Sequence, residues 1–360
     1  MSKSVTTITG LIDPNDLGPT LMHEHVFVDL TCNFVMPAGV VARRYAHKAV
    51  DLGMLHLLKR RPFSVSLDNL ILDDEQLAIE ELRYFVAAGG RTIVDCTVPG
   101  IGRDPEPLRR VALATGAQIV LGTGFYVEMA HPDWLQDASV EQLAEAFVND
   151  IRVGIDGTDI RAGIVGEIGI SGVPKTSSDY ARTGFITPSE EKVLRAAGAA
   201  SAETGAAVTL HLDVRGESGE AAIDILEAEG ASPARIVAGH LDAVPNLDYH
   251  RRLADRGVYV EYDAFGREYY AEELGKTFGS DERRAGLMKG MIDAGFVNQL
   301  IISSDICMKM DLRAFGGSGY DHILTDGPSL FESVGIAAGD IATILEANPR
   351  DVLAFEAVTA

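Results

Sequence analysis

Short apolar runs alternate along the chain with longer stretches whose apolar residues recur three and four positions apart. The first run, TLMHEHVFV (20–28), is separated from the amphipathic DDEQLAIEELRYFVAAGG (73–90) by a long irregular segment over 32–70. RTIVDCT (91–97) precedes DPEPLRRVALATG, QIVLGTGFY (118–126) precedes SVEQLAEAFVNDIRVGI, and RAGIVGEIG (161–169) precedes TPSEEKVLRAAGAASAETG. AAVTLHLD (206–213), RIVAGHLD (235–242) and VYVEYDAFG (258–266) are each followed by a helix-like stretch, and QLIISSDI (299–306) by a tail ending AAGDIATILEANPRDVLAF. Such alternation argues for a parallel sheet with helices packed outside it. Eight units predict an α/β fold, a closed (β/α)8 TIM barrel formed as one domain over residues 1–360. Neither GxGxxG nor GxxxxGK[ST] follows the first run, so an open nucleotide-binding sheet is not indicated.

Local signals agree with this segmentation. Thr187, Pro188 and Glu190 in TPSEE predict a capped helix start, and Gly205, Gly230 and Gly257 stand where helices should stop. Within residues 1–19, the turn-rich DPNDLG between TTITGLI and TLMHEHV predicts a short β-hairpin over the barrel bottom. Segment 32–70 is too long for a tight βα loop. It is expected to cover part of the active-site mouth or to form an oligomer interface.

Polar residues interrupt the apolar runs at one level. Functional residues of such a barrel sit at the C-terminal ends of its strands. His23 and His25 end the first run, Glu167 the fourth, His211 the fifth, His240 the sixth and Asp305 the eighth. Any one buried histidine has a structural explanation. Four histidines and two carboxylates on one rim call for a cation, because uncompensated charges resist burial. Imidazole with carboxylate suits zinc first, then manganese, cobalt or iron(II). Six ligands suit two divalent ions about 3.5–4 Å apart, with a shared water deprotonated to become the nucleophile. Asp305 is the expected catalytic proton acceptor. Cys307 is discounted as a nucleophile, since nothing nearby in sequence lowers its pKa.

Composition narrows the partners. The chain has 360 residues, 46% hydrophobic, with 53 acidic against 31 basic residues and a formal charge of −22. That balance argues against nucleic acid and anionic membranes. No apolar window of eighteen residues could span a bilayer, and no secretory signal is visible at the N-terminus. Cys32, Cys96 and Cys307 form no disulfide framework, which fits a reducing cytoplasm.

The segments GPTLMHEHV, GTGFY, GEIG, TLHLD, AGHLD, VEYDAFG, ISSDICMK, GGSGYDHIL and EANPRDVLAF together resemble the phosphotriesterase family of the amidohydrolase superfamily over nearly the whole chain. The resemblance implies that His23 and His25 hold the more buried metal with Asp305, and that His211 and His240 hold the second. Many members bridge the pair with a carbamylated lysine. Here Glu167 stands in that run, so the chain is similar to the phosphotriesterase-homology and phosphotriesterase-related branch, where a glutamate bridges. A homodimer is implied by the resemblance alone.

The substrate is expected to be a small molecule with an ester-like carbonyl, a lactone first, with a phosphotriester or an amide as alternatives. A barrel that binds without catalysis is a further alternative, disfavoured because all six ligand positions are filled. Arg215, Arg267 and Lys309, just beyond strand ends, are candidates to bind a phosphate or carboxylate on that substrate, or else to pair with neighbouring acids. Tyr126 is a candidate donor to the scissile carbonyl oxygen or a rim aromatic. Tyr262 and Asp263 are candidates to orient a ligand histidine, as are Asp213 and Asp242, which otherwise cap the next helix. GGSGYDHIL is expected to form a flexible loop over the mouth, with Tyr320 and His322 as contacts. His47, His56, His131 and His250 are assigned to surface or structural roles.

Overall fold

The computed structural model describes residues 3–172 and 184–356; the first two and last four residues of the domain expected over 1–360 lie outside them. Eight parallel strands follow one another in chain order: β1 (Thr20–Glu24), β2 (Thr92–Asp95), β3 (Gln118–Thr123), β4 (Ile164–Gly169), β5 (Val208–His211), β6 (Ile236–Ala238), β7 (Tyr259–Tyr262) and β8 (Leu300–Ile302). Each neighbours the next, and the sheet nearly closes into a barrel. At the seam, the Asp305 N–H donates to the His23 carbonyl and the His25 N–H to the Ile306 carbonyl, both at 3.1 Å. The Glu24 carboxylate stitches the same seam by accepting from the Ser303 hydroxyl and the Ser304 and Ile306 N–H groups at 2.7–2.8 Å.

Helices α1 (Glu75–Ala87), α2 (Pro105–Thr115), α3 (Val140–Arg152), α4 (Pro188–Thr204), α5 (Gly219–Ala228), α6 (Leu247–Asp255) and α7 (Asp281–Asp293) connect successive strands on the outside. Thr187 and Glu190 form the expected capping box at α4, which ends at left-handed Gly205. The inside of the barrel is a small apolar layer including Met22, Val94, Cys96, Val120, Ile164, Ala207, Val237 and Ile301. It fills the lower barrel, and the polar rim lies above it.

Strict strand alternation would send His23 away from its inward neighbour Met22. The pairing of β1 with β2 shifts register between Leu21 and Glu24, where His23 sits. β4 shifts likewise between Val165 and Ile168, around Glu167. Irregularities of this kind re-aim a side chain. Gly166 makes the second one possible: its φ is 129°, and a Cβ there would lie 2.4 Å from the Thr209 carbonyl oxygen.

The N-terminal hairpin forms elsewhere than expected. Val5–Thr7 pairs with Gly10–Ile12, so the turn lies within TTITGLI, at Ile8 and Thr9. DPNDLG instead becomes a 3-10 turn over Pro14–Asp16, capped by the Asp13 carboxylate. The hairpin does cover the barrel bottom, where the Ile8 N–H donates to the Ile119 carbonyl at 2.8 Å. Segment 32–70 coils through short turns, including Val40–Arg43, Leu55–Leu58 and Leu67–Leu70, and brings Phe34, Val35 and Phe63 to the mouth. None of the described helices is long and apolar enough to cross a membrane.

Candidate metal centre

At the C-terminal ends of the strands, one nitrogen or oxygen each from His23, Glu167, His211 and His240 lie within 4.8 Å of one another. His23, His25 and Asp305 form a second such group. Glu167 stands between them: Oε2 lies 2.8 Å from His211 Nδ1 and 3.2 Å from His23 Nε2, while Oε1 lies 3.5 Å from His25 Nε2. Asp305 Oδ1 lies 3.6 Å from the same His25 nitrogen. All six residues that the sequence singles out as ligands therefore meet, and all but His211 are buried.

Two of them depart from ordinary backbone geometry. His240 has φ 59° and Asp305 φ 49°. Such left-handed conformations are costly for residues with a Cβ and concentrate at functional sites. They turn side chains toward the rim after β6 and β8 have ended.

Hydrogen bonds fix how two of the histidines point. Thr97 Oγ1 donates its proton to the Phe27 carbonyl at 2.9 Å, so it can only accept from His25 Nδ1, 2.9 Å away. The Asp263 carboxylate accepts from His240 Nδ1 at 2.8 Å and from the His240 backbone N–H at 2.7 Å. The Nε2 lone pairs of His25 and His240 consequently face the cluster. There His240 Nε2 and Glu167 Oε2 each lie 2.8 Å from His211 Nδ1. More acceptors converge than His211 has protons to satisfy them, and a divalent cation meets such a donor set.

The electrostatics follow from this crowding. Burial pushes the Glu167 carboxyl up, but His211, His23 and His25 prevail and hold it well below the usual carboxylate range. Burial also raises Asp305, and the Arg267 guanidinium with the nearby imidazoles brings it below its ordinary value. Burial, His211 and His23 hold His240 well down. Burial keeps the Cys307 thiol well above the ordinary range, as expected of a non-nucleophile.

The cluster opens into a cavity of about 370 Å³. Tyr126, Arg215 and Arg267 line it. Tyr126 packs edge-on to His211, with centroids 4.6 Å apart. Arg215 is held by Asp213 Oδ1 at 3.1 Å and the Ser171 carbonyl at 2.8 Å. Arg267 is buried; it pairs with the Asp305 carboxylate and donates to the Tyr269 hydroxyl at 2.7 Å.

Four expectations are corrected. Lys309 does not line the cavity: its ammonium lies 2.6 Å from Asp68, because the turn after β8 packs against segment 32–70. GGSGYDHIL is not a loop over the mouth, since Tyr320 is buried and donates to the His25 carbonyl, and His322 binds Asp281. Tyr262 faces outward and donates to His250 Nδ1, whose Nε2 proton goes to the Val244 carbonyl; it orients no ligand histidine. Asp242 accepts from Arg284 and from the Asp263 N–H, and Asp213 holds Arg215, so neither bonds to a cluster histidine. Sequence reasoning missed Glu24, Asp95 and Glu261, all fully buried acids. The period-two pattern of VEYDAF was the available signal for Glu261: it shares the inward face with Asp263.

The phosphotriesterase family model matches residues 3–353. The chain is 35% identical to a phosphotriesterase-related protein of Nematostella vectensis over 361 aligned residues, 99% of each chain. It is likewise 35% identical, with the same coverage, to the N-acetyltaurine hydrolase of Homo sapiens. The crystal structure of a resiniferatoxin-binding protein from Rhodobacter sphaeroides superposes with a TM-score of 0.91 at 34% identity, covering 97% of this chain and 94% of that one. With a barrel of this topology and a histidine–carboxylate rim of this composition, the chain belongs to the phosphotriesterase family.

Proposed function

We propose that this protein uses two divalent cations, zinc first among the candidates, to hydrolyse the amide bond of a small N-acyl substrate that carries an anionic group. The carrying observation is Glu167, whose two oxygens face different histidines. His23, His25 and Asp305 would hold one cation, His211 and His240 the other, and Glu167 both. Cations bound there supply Lewis acidity for a carbonyl and acidify water enough for attack near neutral pH.

The remaining steps belong to the chain. Asp305, kept ionised beside Arg267, accepts a proton from the attacking water and returns it to the departing nitrogen. Water thus adds across the C–N bond, leaving an acid and an amine. The Tyr126 hydroxyl donates to the oxygen on which negative charge develops. Arg267 receives the anionic group of the substrate, a permanent charge already held in place by Tyr269. Phe34, Phe63, Leu274 and Phe278 wall the cavity against bulk water.

Lactone opening, the preference formed on sequence, requires the same residues and differs only in the leaving atom. The amide is preferred because the relative at 35% identity named for N-acetyltaurine points to an amide carrying a sulfonate. The test is turnover of N-acyl aminosulfonates and N-acyl amino acids beside carboxylated lactones and a paraoxon-like triester, with and without added metal. The expected result is metal-dependent cleavage of the anionic amides, about 100-fold above their uncharged analogues in kcat/KM. Faster lactone opening would replace the amide reading, and metal-independent turnover would remove the whole proposal.

A further inference from the structure

Strand β7 and the residue that follows it place two acids on the inner face of the barrel, Glu261 and Asp263, with Tyr262 between them turned outward. Asp263 is spoken for: both its oxygens accept from His240. Glu261 is not. It is wholly buried, and neither carboxylate oxygen finds a hydrogen-bond partner among the described residues. A buried carboxylate in that state is costly.

One other polar atom beside it is in the same position. His23 Nδ1 is buried, also lacks a hydrogen-bond partner, and lies 3.5 Å from Glu261 Oε2. Asp263 Oδ2, at 3.7 Å, is the alternative acceptor, but His240 already occupies it. His25 and His240 each pass the Nδ1 proton to an oxygen behind the cluster, Thr97 and Asp263 respectively. Behind His23 that place falls to Glu261. Gly239 keeps the space open: a Cβ there would stand 3.1 Å from Asp263 Oδ2 and 3.5 Å from Glu261 Oε2.

We infer that Glu261 is the positioning residue of the cluster's most buried histidine: it accepts the His23 Nδ1 proton and so presents the Nε2 lone pair to the cation held with Glu167. This rests on the metal reading proposed above. The geometry is that of a carboxylate–histidine–metal relay, in which the outer acid fixes tautomer and ring orientation and strengthens the ligand. Glu261 touches no substrate, since it does not line the cavity.

The test compares wild type, E261Q and E261L. Zinc affinity is measured by competition with a chromophoric chelator, and histidine side-chain nitrogens by 15N NMR of the zinc-loaded protein. Glutamine keeps an oxygen acceptor and leucine removes it. Affinity is expected to fall about 10–100-fold in E261L and by less than about threefold in E261Q. The His23 Nδ1–H resonance should shift in E261Q, with those of His25 and His240 unmoved. Equal affinity of E261L and wild type, equal losses in both variants, or an unshifted His23 resonance would overturn the inference and leave the metal reading standing. A wild-type protein that takes up no zinc overturns the reading and the inference together. Unfolding of metal-free E261L, followed by circular dichroism, separates a binding loss from a folding loss; if E261L is unfolded, the E261Q resonance decides.

Discussion

At the scale of single residues, two of the three basic residues placed alike by sequence separate into different roles. Arg267 lies in the cavity wall with its charge buried, whereas Lys309 is drawn outward by Asp68. For an anionic amide, R267M should raise KM about 10–100-fold, the worth of one charge-assisted contact. An uncharged analogue controls for the loss of the Asp305 partner: its KM should not change, even where kcat falls. K309M should leave KM within about twofold for both substrates and lower stability by about 1–2 kcal/mol, because its ion pair with Asp68 is partly buried. Steady-state kinetics with the two substrates decide both cases; a large KM effect in K309M would restore Lys309 to the site. What distinguishes the two residues was not legible in their own neighbourhoods. The direction of Lys309 is set by Asp68 and Asn69, some 240 positions earlier in the chain. The histidines of the cluster were legible because each ends an apolar run, where a polar side chain has few other reasons to be. Glu261 sits inside such a run, and only its two-residue spacing from Asp263 marks it as inward-facing.

At the scale of elements, the cap of α4 does more than start a helix. Thr187 and Glu190 satisfy each other's backbone N–H groups, as TPSEE predicts. Glu190 Oε1 also accepts from the Ser171 N–H at 3.0 Å and the Glu128 N–H at 3.3 Å. One carboxylate thus ties the loops after β3 and β4 to the next helix. T187A should cost about 1 kcal/mol, the usual worth of an N-cap. E190A should cost about 3 kcal/mol, because three backbone donors lose an acceptor at once. Urea unfolding would measure both, and equal costs would show that the loop contacts contribute nothing. The cap was legible because its partners are three residues apart; the loop contacts span up to 62 positions and depend on the fold.

A second link between elements is sensitive to pH. His322 Nε2 lies 2.6 Å from Asp281 at the start of α7. Burial alone would lower His322, but the Asp281 bond prevails and raises it above its ordinary 6.5. Burial would raise Asp281, but His322, the Gly266 N–H and Arg284 bring it below its ordinary 3.8. The imidazolium contribution is complete below 6.5 and lost as pH rises through the raised value. The carboxylate contribution is complete above 3.8 and lost as pH falls through the lowered value. The stability difference between wild type and H322Q should therefore be largest, about 1 kcal/mol, between about pH 4 and 6.5 and should shrink toward pH 9. A difference independent of pH would mean that packing, not charge, holds the pair.

At the scale of the whole molecule, the barrel has an apolar lower half and an ionisable upper half. The lower half was legible as eight β-rich runs, since a parallel barrel buries both faces of every strand and leaves near-continuous hydrophobic sequence. The register shifts in β1 and β4 were not, because they depend on pairing between strands and are written in no single run. They matter, since they turn His23 and Glu167 into the upper half. Glu24, Asp95, Glu167, Glu261, Asp263 and Asp305 are all buried there, against four histidines and Arg267. Burial pushes the Glu24, Asp263 and Glu261 carboxyls above their ordinary range. Cations that bind the folded barrel and not the open chain would relieve that crowding and stabilise the fold by mass action. At a thousandfold excess over Kd the gain is about 4 kcal/mol per site. An unfolding entropy of about 2.1 cal/mol/K per residue gives a 360-residue chain roughly 1.3 °C per kcal/mol, so stripping both cations should lower Tm by roughly 10 °C. Differential scanning fluorimetry of chelator-treated protein, repeated with zinc, manganese or cobalt restored, would read this directly, and the ion giving the largest recovery is the best candidate for the native one. E167A, which removes the acid between the two groups of histidines, should show little of that recovery and bind well under two equivalents of metal. A melting temperature unchanged by chelation and by added metal would mean that the upper half is held by protons and hydrogen bonds alone.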